Sequence, residues 1–247
     1  MMAASTFNLN FLFLNTYGAH NNVLFIEQSC FANDILFLSE TWLKEEQRYV
    51  LSSISQDHNV YFKSDMALTP RYGRPYGGRC WYVRKFIEVT QCDFINESVS
   101  VLSFKYQGQS FSVIGVYLPF DDKTSFTLNE YESLLSLVRE IVLNYKRQGN
   151  IVLIGGDFNA DVNRGNRFDR LLRVFVDRNN YHLVDQEFSS SLDFTYFKGE
   201  GTQNVYRAYI DHGILASKEK IVNYNCQVGK DKYFLNFDAY SEEIHEH

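Results

Sequence analysis

Apolar positions along this chain fall in short runs more often than in long periodic stretches. Phe7 to Asn15 is strongly apolar and of strand length, and Asp34 to Glu40 places Ile-Leu-Phe-Leu between polar ends. Runs of this length bounded by polar residues suit strands buried on both faces. Helical patterns are fewer: His20 to Ala32 has room for a helix, and Trp42 to Ile54 has helical spacing. Strands are then predicted near Asn59–Ser64, Arg79–Lys85, Glu88–Cys92, Ser98–Tyr106 and Ser110–Tyr117, with no helix between them. Alternation is clearest at Val99 and Val101 and at Phe111 and Val113. The best helix is predicted to begin at Thr127, where Thr127 and Glu130 have capping-box spacing, and to close at Gly149. Between them Leu128, Tyr131, Leu134, Leu135, Val138, Ile141, Val142 and Tyr145 recur at three- and four-residue steps. An apolar strand from Ile151 ends in Gly155 and Gly156, Arg167 to Asn179 reads as a helix, and Phe194–Phe197, Tyr206–Ser217 and Ile221–Val228 read as strands.

Two strand-rich halves with a few helices predict packed sheets covered by helices. A doubly wound parallel sheet needs regular strand–helix alternation, which the middle of the chain lacks. At 247 residues one large domain is expected. It is predicted over residues 1–236, with 237–247 as a charged, disordered tail. Aromatics at 16%, with 21 Phe and 17 Tyr, fit strands better than helices. The net charge of −6 argues against sequence-independent coating of nucleic acid. It leaves room for an enzyme that touches nucleic acid, because metal-binding carboxylates add to the acid count. Cys30, Cys80, Cys92 and Cys226 lie far apart, without zinc spacing, and read as reduced core thiols of an intracellular protein. The apolar amino terminus has no basic residue before Lys44, so a secretory signal is not expected, and no run is long enough for a membrane span.

The chemistry lies at strand ends. Asp34-Ile-Leu-Phe-Leu-Ser-Glu40 ends in an acid, and Phe13-Leu14-Asn15 in an amide. Ile151 to Asn159 ends in Asp157 and, two residues on, Asn159; Asp211 sits in an apolar strand. Each has an ordinary reading as a turn former. Together, carboxylates that are costly to desolvate and amides at separate strand ends suggest an oxygen-rich site for a divalent cation. On an extended strand Asp157 and Asn159 share a face and would address one substrate atom, an acid orienting water while an amide donates to a phosphate oxygen.

Leu38 to Leu43 (Leu-Ser-Glu-Thr-Trp-Leu), Gly115 to Pro119 around Tyr117, Gly156 to Ala160 around Asp157 and Asn159, and Tyr209 to Leu215 around Asp211 resemble the endonuclease/exonuclease/phosphatase superfamily. In order and distance they are most similar to the apurinic-type endonuclease domain of LINE-type non-LTR retrotransposons, as is the segment Gly73-Arg-Pro-Tyr-Gly-Gly78. The likeness runs from about Asn8 to Ser217.

The resemblance implies a four-layer α/β sandwich, two mainly antiparallel sheets face to face with helices outside. It implies Mg²⁺, with Mn²⁺ as a substitute, held by Glu40. Asn15 would help hold the metal and phosphate region, Tyr117 would contact the scissile phosphate, and Asp157 would orient or deprotonate the attacking water. Asn159 would bind the phosphate, Asp211 would be a supporting acid, and Thr195 would contact DNA. The implied reaction is Mg²⁺-dependent hydrolysis of DNA leaving a 3′-hydroxyl, in a monomeric, intracellular and nuclear domain whose nick primes a reverse transcriptase elsewhere in a polyprotein. Arg71, Arg74, Arg79, Arg84 and Lys85 interleave with Tyr72, Tyr76, Trp81 and Tyr82, either as a DNA-backbone surface or as an exposed hairpin with basic rims. Arg164, Arg167, Arg170 and Arg173 read as a second rim or a solvated helix face. His212, beside Asp211, reads as structural.

One departure stands against these matches. The family closes with Ser-Asp-His, whereas in register after Asn236 this chain has Asp238, Ala239 and Tyr240. The final strand is accordingly expected to be incomplete. Two alternatives follow: an impaired or inactive relic of the same fold, or a phosphatase acting on a small phosphoester.

Overall fold

The computed structural model describes residues 9–66, 77–184, 196–198, 206–208, 211–216, 226–230 and 233–237. In chain order these give β1 (Phe11–Asn15), α1 (Val23–Ala32), β2 (Ile35–Ser39), α2 (Arg48–Ser52), β3 (His58–Lys63), β4 (Arg79–Arg84) and β5 (Glu88–Phe94). Then come β6 (Val99–Tyr106), β7 (Gln109–Tyr117), α3 (Ser125–Arg147), β8 (Ile151–Asp157), α4 (Arg167–Arg178) and β9 (His182–Leu183). The last strands are β10 (Tyr196–Lys198), β11 (Tyr206–Ala208), β12 (Asp211–Leu215), β13 (Cys226–Lys230) and β14 (Tyr233–Phe237).

One six-stranded sheet has the order β14-β13-β1-β2-β4-β3, the other β5-β6-β7-β8-β12-β9, and β10 pairs with β11 in a separate ribbon. β1 runs parallel to β2 and β13, and β7 parallel to β8; the remaining ladders are antiparallel. The expected pair of mainly antiparallel sheets is therefore present, and β14 forms one edge of the first.

Parity explains how short apolar runs build four layers. In β1 all five residues are buried. Phe11 and Phe13 enter the cluster between the sheets, with Phe37, Trp81, Phe104, Phe111, Val113 and Leu153. Leu12 and Leu14 face the other way, joining Leu36, Leu38, Ile26, Cys30 and Leu51 under α1 and α2. The second sheet does the same: Ile114, Val116, Val152 and Ile154 pack under Tyr131, Leu135, Val138, Phe168 and Leu172 of α3 and α4. Alternate side chains are thus apolar on both faces, which hides the two-residue period from the sequence.

Glycines leave room where neighbours crowd the backbone: a Cβ on Gly155 would run into the Phe13 ring of the facing sheet, and one on Gly156, at φ +133°, into the Val116 carbonyl oxygen of the adjacent strand.

Two predicted boundaries move. The N-cap of α3 is Thr124, whose side chain accepts from Thr127 N–H at 3.2 Å, so the helix starts before the predicted cap. Thr127 instead donates its hydroxyl to Asp122. The helix predicted over Trp42–Ile54 shrinks to a 3₁₀ turn, Glu45–Gln47, and α2. Trp42 sits at φ +53°, outside helical space.

Beneath α1, buried His58 donates through Nε2 to the Asn33 carbonyl at 3.2 Å and accepts at Nδ1 from Ser55 at 2.8 Å; the carbonyl partner fixes this tautomer. Burial holds the ring's pKa below the ordinary 6.5, against the Asn33 hydrogen bond, and Arg84 lowers it further while Asp57 and Asp34 oppose. The unfolded chain therefore takes up the proton first. Stability is full above the unfolded value and falls as pH drops through about 6.5 and below. Urea midpoints at pH 7.5 and 5.5 are expected to differ less in His58→Gln than in the parent.

Candidate active site

The same parity that builds the core delivers the polar residues. In β1, Asn15 follows Phe11 and Phe13 on the face between the sheets. In β7, Tyr117 follows Phe111, Val113 and Gly115; in β8, Asp157 follows Ile151, Leu153 and Gly155. Tyr117 is paired with Asp157 in the parallel ladder. The apolar filling stops at one end of the sandwich, and these three side chains occupy that end. Glu40, one residue past β2, joins them from the neighbouring strand end.

One amide gathers the cluster. Asn15 Nδ2 donates to Glu40 Oε1 at 3.1 Å and to Asp157 Oδ2 at 3.0 Å. Tyr17 N–H donates to Asn15 Oδ1 at 3.1 Å, which fixes which end of the amide faces the carboxylates. Tyr117 OH donates to the same Glu40 oxygen at 2.5 Å. Burial, with the adjacent Glu40 carboxylate, pushes the Tyr117 phenol far above its ordinary pKa, so it remains a donor. Asn15 and Asp157 are buried, and Glu40 is half-buried.

Backbone bonds hold the two strand ends side by side. Thr16 N donates to Ser39 O, Gly18 N to Glu40 O and Ala19 N to Thr41 O, each at 2.9 Å. Tyr17, Glu40 and Trp42 take left-handed φ of +49°, +51° and +53°. Such angles are costly for bulky residues and gather at sites whose surroundings enforce them. Asn159 is left-handed too, at φ +50°, because β8 stops at Asp157. The expected shared strand face is therefore absent. Asn159 instead donates its N–H to Asp157 Oδ1 and its side-chain amide to Leu118 O, both at 2.8 Å.

Among the described residues no three His, Cys, Asp or Glu side chains could hold a metal by themselves. The donor set still suits a hard cation. Two carboxylates meet at one amide, and Mg²⁺ commonly takes only one or two protein carboxylates, completing its shell with water and phosphate oxygens.

Asp211 stands in register with Asp157 across the β8–β12 ladder. His212 is buried, its Nε2 3.0 Å from Ala160 O, in keeping with a structural reading. Thr195, Arg71, Arg74, Tyr72 and Tyr76 lie outside the described residues, as do residues 238–247.

The basic surface read from the interleaved arginines is not what β4 forms. Arg79 is 1% exposed and grips Asp65 with Nε at 2.9 Å and Nη2 at 3.0 Å. Trp81 and Tyr82 are fully buried, and Arg84 donates to the Cys30 and Phe31 carbonyls at 2.9 Å. Alternation in β4 points these side chains into two core layers. The second arginine set is also engaged: Arg164 pairs with buried Asp169 at 2.8 Å, Arg167 with Asp121 at 2.5 Å, and Arg170 and Arg173 donate to backbone carbonyls. Tyr17 and Trp42, neither of them among the expected site residues, stand two residues beyond Asn15 and Glu40. That repeated spacing was the available signal.

Solved structures with the same fold include D. rerio TDP2 complexed with single-strand DNA product, at 14% identity and TM-score 0.61, covering 91% of this chain and 92% of that one. The endonuclease domain of TRAS1, a telomere-specific non-LTR retrotransposon, aligns at 13% identity and TM-score 0.55 over 83% of each chain. The AP endonuclease LMAP from Leishmania major aligns at 12% identity and TM-score 0.63, over 84% of this chain and 78% of that one. No curated protein sequence matches. The sequence does match the Endonuclease/Exonuclease/phosphatase family over residues 5–215. With the two-sheet fold and most of the chain inside that match, the protein belongs to the Endonuclease/Exonuclease/phosphatase family.

Proposed function

We propose that this chain is a divalent-cation-dependent DNA endonuclease of the LINE retrotransposon type, hydrolysing a phosphodiester to leave a 3′-hydroxyl. The convergence of Glu40, Asp157 and Tyr117 on one amide, Asn15, carries this reading. Glu40 would hold Mg²⁺ or Mn²⁺ with Asn15 bracing it, and the bound cation would supply Lewis-acid stabilisation of phosphate charge. Asp157, oriented by Asn15 and the Asn159 N–H, serves to position the attacking water. Tyr117 would turn its hydroxyl from Glu40 to the scissile phosphate when substrate binds, and Asn159 and Asp211 would support the site. DNA in the TDP2 structure supports the choice of substrate class. A nick bearing a 3′-hydroxyl suits priming of a reverse transcriptase in the nucleus.

A second reading rests on the sequence: the positions matching the family's Ser-Asp-His hold Asp238, Ala239 and Tyr240. This favours an impaired relic. A supercoiled-plasmid assay separates the two. Nicking is expected with Mg²⁺, is expected to vanish with a chelator and return with Mn²⁺, and should leave ends that a polymerase extends. No nicking by the parent favours the relic. Turnover confined to small phosphoesters favours a phosphatase.

A further inference from the structure

Two aromatic side chains flank the site and have no part in the chemistry above. Tyr17 lies two residues past Asn15, and Trp42 two residues past Glu40. Their rings meet with centroids 4.7 Å apart at a tilt of 51°. A Cβ on Gly18 would stand 2.7 Å from the Trp42 ring, so the indole is packed closely against that backbone. Tyr17 is 40% exposed beside two buried cluster members. Its N–H holds the Asn15 amide, and its hydroxyl lies within electrostatic reach of Tyr117.

Each aromatic is held at a left-handed φ that a Cβ-bearing, bulky side chain adopts at a cost. A turn alone would be better served there by glycine or asparagine. A large ring kept half in water at the rim of a phosphodiester site has a ready use, because every nucleobase offers an apolar face to stack on.

We propose that Tyr17, braced by Trp42, is a stacking platform for the unpaired nucleobase adjoining the phosphate at the Asn15–Glu40–Asp157 cluster. This deepens the nuclease reading and rests on it. Tyr17 acts as a positioning residue: the stacked base fixes where the backbone crosses the carboxylates. The hydroxyl is dispensable and the ring is not.

The test is fluorescence anisotropy of two labelled twelve-residue strands, oligothymidylate and a base-free abasic strand of equal charge. The variants are Tyr17→Phe and Tyr17→Gly; glycine accepts the left-handed backbone without strain. Circular dichroism melts confirm folding. Tyr17→Gly is expected to weaken oligothymidylate binding about tenfold, within the range for loss of one stacked base, and to leave the abasic strand unchanged. Tyr17→Phe should bind like the parent. Equal oligothymidylate affinity for parent and Tyr17→Gly overturns the platform and leaves the nuclease reading intact. Equal losses in Tyr17→Phe and Tyr17→Gly also overturn it, by assigning the effect to the hydroxyl. A parent that binds neither strand overturns the DNA reading itself.

Discussion

Asp157→Ala is expected to lower plasmid nicking about a thousandfold, within the range for removal of a general base or a transition-state electrostatic group. The carboxylate has two oxygens with separate tasks in the resting fold: Oδ2 receives Asn15 Nδ2, and Oδ1 receives the Asn159 N–H. These bonds hold it in one orientation at a strand end. That is the preorganisation a group needs if water is to be placed for in-line attack. Asp157→Asn should lose nearly as much rate, because the amide keeps the shape and loses the charge. Glu40→Ala should be comparably inactive, with activity partly restored at high Mn²⁺ if its work is cation binding. Single-turnover rates decide it; Asp157→Ala nicking within tenfold of the parent would remove Asp157 from the chemistry.

Gly156→Ala is expected to destabilise the fold by about 3 kcal/mol or more, since it joins an incompatible backbone angle to a buried clash. The added methyl would meet the Val116 carbonyl, a backbone atom in the neighbouring strand that cannot rotate aside. In a chain of this size that corresponds to a fall in melting temperature of roughly 10 °C. Gly155→Ala makes an instructive contrast. Its methyl would meet the Phe13 ring, so Phe13→Leu should recover part of the loss, whereas Phe13→Leu should do nothing for Gly156→Ala. Denaturant midpoints of the four variants measure both claims. A Gly156→Ala midpoint equal to the parent's would contradict the geometry.

Much of this architecture was legible in the sequence because strand runs and the α3 pattern are local signals. The runs Asp34–Glu40 and Ile151–Asp157 announced β2 and β8, and the polar residue at the end of each marked the site. What the sequence could not show was which partner each side chain would find. Arg79, among aromatic and basic neighbours in the chain, reads either as part of a DNA-backbone surface or as the rim of an exposed hairpin, and it is neither. Its fate was decided by Asp65, fourteen residues away in sequence. Trp42 fits a helical spacing, yet the crossing of chain at Glu40 holds it in left-handed space. Asp157 and Asn159 were expected to act from one strand face, but the strand ends between them. Local propensity gave way in each case where the site's geometry imposed a backbone of its own.

The Asp65 clasp has a consequence for how this fold can vary. Its carboxylate binds the Gly78 N–H at 3.2 Å as well as Arg79, while Thr41 and Trp42 donate to the carbonyls of Gly78 and Gly77. Asp65 and Gly78 are thus fastened to each other, beside Thr41 and Trp42. Joining two fastened points by a longer connection costs only about 0.6 kcal/mol per doubling of its length. Changes of length between Asp65 and Gly77 are therefore expected to leave the Asn15–Glu40–Asp157 cluster in place.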